Sequence, residues 1–241
     1  MRKVTLYILL TCLLSLAFAQ DKEGAQKINS QVAIVPGQPI NFPIEALIAE
    51  KEGLVIYRIF WDENNQYKRH QQLYASHQEL ANGVEGIIPE LQFAVPKQAQ
   101  GTFHFIAPLI FELEEGEGEV RSDEMLMQDG NACLQLGLSQ VALHFYDQIL
   151  TRRRKKDGNF FELHQARRAA FLHSKSWEDA RQEATHMLAY AREPESAFAD
   201  QQILLRIERS MLSLLAGKST QAIADLSWLK SQDETNISLL S

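Results

Sequence analysis

Apolar residues follow different periods in the two halves of this chain. From residue 31 to residue 113 they come in short runs, as in 54–61, or at alternate positions, as from Phe103 to Leu113. A period of two is typical of a strand with one buried face. Beyond residue 125 the spacing becomes helical. The clearest helical stripe consists of Val141, Ala142, Phe145, Tyr146, Ile149 and Leu150. The pattern therefore predicts a multi-domain chain, with strands first and helices second.

The strand-rich half predicts an all-β sandwich at residues 20–111. Turn-forming clusters at 62–65 and 83–86 separate its short strands. Residues 71–80 are compatible with a short helix or with a polar strand and loop. The order of strands and turns up to the final strand resembles the immunoglobulin-like modules of exported bacterial proteins. That resemblance implies two packed antiparallel sheets.

A five-residue spacing recurs three times in the helical half. The three pairs are Gly137 and Ala142, Lys175 and Ala180, and Gly217 and Ala222. The alanines lie 38 and then 42 residues apart. An apolar helix precedes each pair, around 126–136, 160–172 and 203–215. A recurrence of this length is typical of stacked helical hairpins that cannot bury their apolar faces alone. Ser139, Ser176 and Ser219 are predicted to be the N-caps of the second helices.

These residues resemble the tetratricopeptide-repeat family. The features that carry the resemblance are Gly130, Gly137, Ala142, Tyr146, Phe171, Trp177, Ala180, Gly217 and Ala222. The resemblance implies an all-α, TPR-like hairpin stack at residues 125–241, with its first helices lining a concave groove. Asn131, Gln135 and His173 are then predicted to face a peptide partner. The units exceed the usual 34 residues by about four and about eight, so a related helical solenoid remains an alternative.

An acidic, glycine-containing segment at 112–124 separates the two halves. Such a composition is a poor core former, and we interpret it as a solvated linker. The alternative of a calcium site is disfavoured, since the spacing lacks the order of a calcium-binding loop.

The first 19 residues have the features of a secretory signal peptide. Arg2 and Lys3 precede an apolar run at 4–16, and cleavage is predicted after Ala19. The protein is then periplasmic or secreted, with no transmembrane segment after signal removal. One alternative is a transmembrane anchor, although the apolar run is short for one. The other is a membrane-anchored lipoprotein acylated at Cys12.

Charge and cysteine content narrow the functional classes. The net charge is −7, and it becomes −9 if residues 1–19 are removed, because they contain two basic residues and no acid. An acidic chain repels phosphate backbones, so no nucleic-acid partner is expected. Cys133 would then be the only cysteine, which excludes an intramolecular disulfide, and its apolar surroundings predict a buried thiol.

The chain lacks recognisable catalytic, cofactor and metal motifs. Its seven histidines show no zinc spacing, and neither a nucleophile elbow nor a phosphate loop occurs. We therefore expect no cofactor, no metal and no catalytic residue. The basic run Arg152, Arg153, Arg154, Lys155 and Lys156 is the sharpest charge feature. It fits a solvated loop at a helix C-terminus, an anionic docking patch or a contact with the acidic linker.

The sequence favours an exported, non-enzymatic adaptor or scaffold. Its helical stack would bind a protein or peptide partner in the cell envelope. The alternative is a carbohydrate- or peptide-binding module that uses the β domain. An enzyme without a recognisable motif is the third possibility.

Overall fold

The chain divides into two compact units, Met1–Met125 and Leu126–Ser241. The computed structural model describes residues 26–27, 33–34, 43–62, 64, 66–91, 93–94, 103–113, 121–152, 160–193 and 196–239. The predicted signal peptide with Cys12, residues 114–120 of the predicted linker and the basic residues 153–156 lie outside the described residues.

A four-stranded sheet organises the first unit. The elements of this unit are β1 Gln26–Lys27, β2 Ala33–Ile34, α1 Ile44–Ile48, β3 Gly53–Trp61, β4 Tyr67–Ala75, α2 Gln78–Glu85, a 3-10 turn Ile88–Glu90, β5 Phe93–Ala94 and β6 Phe103–Phe111. The strand order in the sheet is β1-β6-β3-β4. The three long strands β6, β3 and β4 are antiparallel, and the short β1 runs parallel to β6. The ambiguous segment 71–80 thus holds the end of a strand and the start of a helix.

One face of the sheet packs against α2. Val55, Tyr57 and Ile59 of β3 share a buried core with Leu80 and Val84 of α2. The hydroxyl of Tyr57 donates a hydrogen bond to the backbone carbonyl of Ala81 over 3.0 Å. Burial, with a smaller contribution from Glu85, raises the pKa of Tyr57 to about 12. Because successive side chains of a strand point to opposite faces of the sheet, alternate residues of β3 lie in this core.

The opposite face of β3 is buried as well. Leu54, Ile56 and Phe60 are at most 3% exposed. This double burial explains why β3 is apolar at every position from Leu54 to Trp61 except Arg58, rather than at alternate positions. The described residues contain one four-stranded sheet, whose three long strands are antiparallel, and the two-residue pair β2–β5, so they do not make up the full sandwich predicted for 20–111.

Three helical hairpins form the second unit. The first hairpin is α3 Asp123–Gln135 with α4 Ser139–Arg152, the second is α5 Phe161–His173 with α6 Trp177–Ala191, and the third is α7 Gln202–Leu215 with α8 Ser219–Leu239. A 3-10 turn, Ala199–Gln201, precedes α7. Helix α5 packs against α4 and α6, and α7 packs against α6 and α8. The helix stack predicted from the apolar spacing is therefore confirmed.

Candidate interaction surface of the helical unit

The recurring turn residue has the same left-handed backbone in all three hairpins. The φ angles are 77° at Gly137, 58° at Lys175 and 73° at Gly217. The N–H of each residue that follows bonds to the carbonyl five residues earlier. These bonds are Leu138 to Cys133 at 2.9 Å, Ser176 to Phe171 at 2.9 Å and Lys218 to Ser213 at 2.6 Å. This is the Schellman arrangement, which ends a helix by bonding its last carbonyls. The frame thus repeats in the backbone, including at the non-glycine Lys175.

The recurring alanine is the close-contact point at the start of each second helix. Ala142, Ala180 and Ala222 are all 0% exposed. Each N–H bonds to the carbonyl four residues earlier, which makes the alanine part of the first helical turn. A side chain of one methyl group lets the second helix approach its neighbour closely.

The predicted serine caps have a different role from the one expected. Ser176 occupies the N-cap position of α6 but makes no capping hydrogen bond with its side chain. Its hydroxyl lies 3.3 Å from that of Ser174 instead. Ser139 and Ser219 are the first residues of their helices rather than N-caps.

An aromatic side chain against a glycine fills the first hairpin. A Cβ placed on Gly130 would lie 2.4 Å from Cε1 of Tyr146, so only glycine leaves room for this ring. The hydroxyl of Tyr146 donates to Oδ1 of Asn131 over 2.8 Å. Burial raises the pKa of Tyr146 well above its ordinary value. Asn131, a predicted partner-binding residue, is therefore also held by its own hairpin.

A buried carboxylate lies between two basic side chains in the interior of the second hairpin. Glu183 of α6 is 6% exposed. Its Oε2 lies 2.6 Å from Nδ1 of His164, and its Oε1 accepts from Nε of Arg167 over 2.9 Å. Burial alone would raise the pKa of Glu183, but the hydrogen bond with His164 and the charge of Arg167 lower it overall. We call this group the second-hairpin clamp.

The third hairpin repeats this arrangement with other residues. Asp225 of α8 is 1% exposed. Its carboxylate accepts from Nη1 of Arg206 at 3.1 Å and from Nε and Nη2 of Arg209 at 2.8 and 2.5 Å. The guanidinium of Arg206 also lies 3.9 Å from the ring centroid of Trp228. Desolvation, the largest influence, lowers the pKa of Arg206. We call this group the third-hairpin clamp.

The two clamps occupy identical positions of the repeated frame. Each acid lies three residues after the buried alanine, and the two bases lie eleven and eight residues before the left-handed turn residue. In the first hairpin these positions hold Leu126, Asp129 and Phe145 instead. Neither clamp was predicted from the sequence. An acid three residues after the second and third repeated alanines was the available signal.

Arginines on α5 also connect neighbouring hairpins. Arg167 forms an ion pair with Asp147 of α4, and Arg168 forms one with Glu208 of α7. Burial, the largest single influence, opposes the charge of Arg167, but Glu183 and Asp147 raise its pKa overall. Helix α5 is thus tied to the hairpins on both of its sides.

The predicted partner-binding residues lie on exposed faces of the first helices. Asn131 and Gln135 are exposed and one turn apart on α3, and His173 is exposed at the end of α5. Gln135 and His173 occupy the same frame position, two residues before the turn residue. His164, on the same helix as His173, is buried, so the two histidines lie on different faces of α5.

Among the residues of the predicted basic patch, the structure describes Arg152. It is exposed in the last turn of α4, where positive charge is favourable near the helix C-terminus. Arg153, Arg154, Lys155 and Lys156 lie outside the described residues.

The described residues offer little metal or thiol chemistry. Within them, no group of three or more His, Cys, Asp or Glu side chains is arranged to hold a metal ion. Cys133 is buried in α3, as its apolar neighbours predict. Nor does any helix in the described part of the chain have both the length and the apolar character needed to cross a bilayer.

Comparison with known proteins gives no assignment. No protein-family model matches this chain, and no curated protein matches it significantly.

Proposed function

We propose that this chain is an exported, non-enzymatic adaptor that binds a protein or peptide partner in the cell envelope through a TPR-like helical stack. The observation that carries the proposal is the threefold repetition of one hairpin frame, with the same left-handed turn and the same buried alanine. Stacked repeats of this kind produce extended surfaces on which equivalent positions form a row. Their usual role is binding rather than catalysis.

The first helices supply the proposed binding row. Their exposed faces carry polar side chains in the first two hairpins, including Asn131, Gln135 and His173. Amide and imidazole groups of this kind bond to the backbone of an extended peptide without requiring a particular charge. The interior clamps keep these helices in place but do not themselves reach the partner.

Export and a two-layered first unit belong to the same proposal. The apolar N-terminal run followed by a small-residue cleavage site supports a signal peptide at 1–19 and a periplasmic or secreted location. An N-terminus at Gln20 in protein isolated from the envelope fraction would support export, and an intact Met1 would contradict it.

The burial of β3 on both faces supports a second layer over the sheet, as a sandwich would have.

The adaptor proposal is tested by capture of partners from a solubilised envelope fraction. Gln135→Ala combined with His173→Ala should remove the captured protein while leaving the helical content unchanged. Asn131→Asp, which keeps the oxygen that accepts from Tyr146, should weaken capture by adding a charge to the row. The matched control is Gln182→Ala combined with Gln221→Ala, because these exposed residues lie on the second helices. Equal capture by all variants would reject the proposed row.

A second candidate function rests on the sheet. Strand β4 is the last strand in the order β1-β6-β3-β4, and Lys68, Gln71 and Gln72 along it are exposed. An extended peptide can add to such an edge through backbone hydrogen bonds. A partner whose capture survives the Gln135→Ala/His173→Ala change but is lost on Gln72→Pro would favour this alternative.

A further inference from the structure

The exposed side chain of Asn131 is bonded to the interior of its own hairpin. Tyr146 of α4 is buried, and its hydroxyl donates to Oδ1 of Asn131 on α3 over 2.8 Å. The ring fits at this position because Gly130 has no Cβ, which would lie 2.4 Å from Cε1 of the ring. Two adjacent residues of α3 therefore supply the space for the ring and the acceptor for its hydroxyl.

This hydrogen bond decides which end of the Asn131 amide faces the hairpin interior. Burial raises the pKa of Tyr146, so its hydroxyl keeps its proton at physiological pH. Within the part of the chain that the structure describes, the acceptor of this O–H group is Oδ1 of Asn131. If the amide were reversed, two donors would meet and the buried O–H group would lack an acceptor, which is unfavourable. The amide oxygen therefore stays on the side of Tyr146.

The amide nitrogen is then the end of Asn131 that a partner meets. Nδ2 is the other arm of the planar amide, and it has no hydrogen-bond partner among the described residues. An exposed amide without a fixed neighbour can rotate and offer either end. Asn131 instead presents two N–H donors in a fixed orientation, so less side-chain freedom is lost when it binds an acceptor.

The tyrosine hydroxyl is not a requirement of the hairpin frame. The frame positions of Gly130, Asn131 and Tyr146 hold Arg168, Ala169 and Ala184 in the second hairpin, and Ser210, Met211 and Leu226 in the third. Neither of these hairpins has an aromatic ring at the position of Tyr146 or an amide at the position of Asn131. Since the same backbone forms without the hydroxyl, its specific contribution is to the exposed side chain that it bonds.

We propose that Tyr146 is a positioning residue for peptide binding, which orients Asn131 so that its amide donates to a backbone carbonyl of an extended partner segment. This role rests on the proposed adaptor function and specifies the partner group recognised at one position of the row. Asn131 and Gln135 are one turn apart, which is about 6 Å along α3. Carbonyls on one side of an extended segment repeat at about 6.6 Å, so two of them match these two residues.

A double-mutant cycle on peptide affinity tests the role of Tyr146. The probe is a peptide that the immobilised full chain retains from a tryptic digest of the envelope fraction, sequenced and then resynthesised. Tyr146→Phe keeps the ring and removes the hydroxyl, and it should raise the Kd for this peptide about 2- to 10-fold in calorimetric titration. In an Asn131→Ala background it should have no further effect, because the hydroxyl acts through the amide.

Two further variants test the donor and the position of the hydroxyl. Asn131→Asp keeps an oxygen for Tyr146 but turns a second oxygen towards the partner carbonyl, so its Kd should exceed that of Asn131→Ala. Tyr57→Phe is the matched control, because it removes a buried tyrosine hydroxyl that bonds to Ala81 in the first unit. It should leave the Kd unchanged. NMR relaxation of the Asn131 side-chain amide needs no peptide and should show a loss of order in Tyr146→Phe.

The outcomes separate this role from the adaptor function. An equal loss of affinity on Tyr146→Phe in both backgrounds would indicate a merely structural role and overturn the inference. Unchanged order of the Asn131 amide in Tyr146→Phe would overturn it too, as would native affinity in Asn131→Asp. If Gln135→Ala with His173→Ala abolishes binding and Asn131→Ala does not, the adaptor function stands and this inference fails. A native chain that retains no peptide would overturn both.

Discussion

The first hairpin and the two that follow it share a backbone but not an interior. All three have the left-handed turn residue and the fully buried alanine. Between the helices, the first hairpin places Tyr146 against Gly130, whereas the other two enclose a carboxylate between two bases. The turn and the alanine therefore set the path of the chain, while the remaining interior positions accept quite different chemistry.

The two kinds of hairpin interior depend on different physical requirements. An aromatic ring against a glycine depends on shape, so it tolerates little added volume. A buried carboxylate depends on every partner being present, because an unpaired charge in the interior is strongly destabilising. We therefore expect each hairpin to be sensitive to a different kind of substitution.

The largest expected effect is the loss of an acid from a clamp. Asp225→Asn leaves the buried guanidinium of Arg206 and that of Arg209 without their counter-charge. It should lower the free energy of unfolding by about 3 kcal/mol or more, as measured by urea denaturation. Replacing Asp225, Arg206 and Arg209 together by leucine should restore much of that loss, since a well-packed apolar set can substitute for a buried ion group.

A surface ion pair is the control for the clamp. Glu178 and Arg181 on α6 are joined by two hydrogen bonds of 2.8 and 2.9 Å, but the Glu178 side chain is 40% exposed. Glu178→Gln should change the free energy of unfolding by less than about 1 kcal/mol. A loss as large as that of Asp225→Asn would show that burial is not what makes the clamp matter.

An added methyl group should affect the first hairpin by a smaller amount. Gly130→Ala places a Cβ into the ring of Tyr146 and should destabilise the protein by about 1–3 kcal/mol. Combining it with Tyr146→Leu should cost less than the sum of the two single changes, because the ring is the obstacle. Gly86→Ala is the matched control, since no atom lies within 4 Å of its Cβ and its φ is −70°.

Substitutions at the three left-handed turn residues should change the stability of the protein in opposite directions. Gly137→Ala and Gly217→Ala meet no neighbouring atom, so only the positive φ opposes them, at a cost of about 1 kcal/mol. Lys175→Gly should instead stabilise the second hairpin by roughly 0.5–1 kcal/mol, because glycine adopts this backbone freely. Thermal denaturation of the three variants measures both signs. Equal destabilisation by all three would contradict a common backbone requirement.

The smallest expected difference is one in melting temperature between the native chain and Glu183→Gln, and it appears only at acidic pH. The pKa of Glu183 in the folded state lies below its ordinary value of 4.5. The stability that the ionised carboxylate contributes is therefore fully present above pH 4.5 and is lost as the pH falls through the folded pKa. The melting temperature of the native chain should fall more steeply below pH 4.5 than that of Glu183→Gln. Parallel curves would contradict a role for this group in acid sensitivity.

The helical unit could be predicted well because its sequence signals are local. The apolar spacing placed the first helices within about three residues of their observed bounds, and glycine at 137 and 217 pointed to the turns. Lys175 has no intrinsic preference for a left-handed backbone, so only its place in the repeated frame predicted its turn. Serine at 176 suggested a capping hydrogen bond, but its hydroxyl lies against Ser174 instead.

The clamps and the sheet were harder to predict because they depend on distant contacts. His164 and Glu183 are 19 residues apart and meet only when α5 and α6 lie side by side. Polar residues in a helical pattern ordinarily indicate a solvated face, but His164, Arg167 and Glu183 lie between α5 and α6. Strand β3 was predicted correctly, yet a run that is apolar at every position but Arg58 could not reveal what covers each face of the sheet.

The neighbouring arginines of α5 have a consequence for how the stack comes apart. Arg167 forms an ion pair with the first hairpin and Arg168 forms one with the third, so two adjacent residues of the second hairpin connect all three hairpins. In a linear array, cooperativity rises with the strength of the coupling between neighbours. Hydrogen exchange should therefore report one opening event for the three hairpins. Removing the Arg168 side chain alone, which leaves the second-hairpin clamp intact, should weaken the coupling to the third hairpin, so that this hairpin exchanges slightly ahead of the other two.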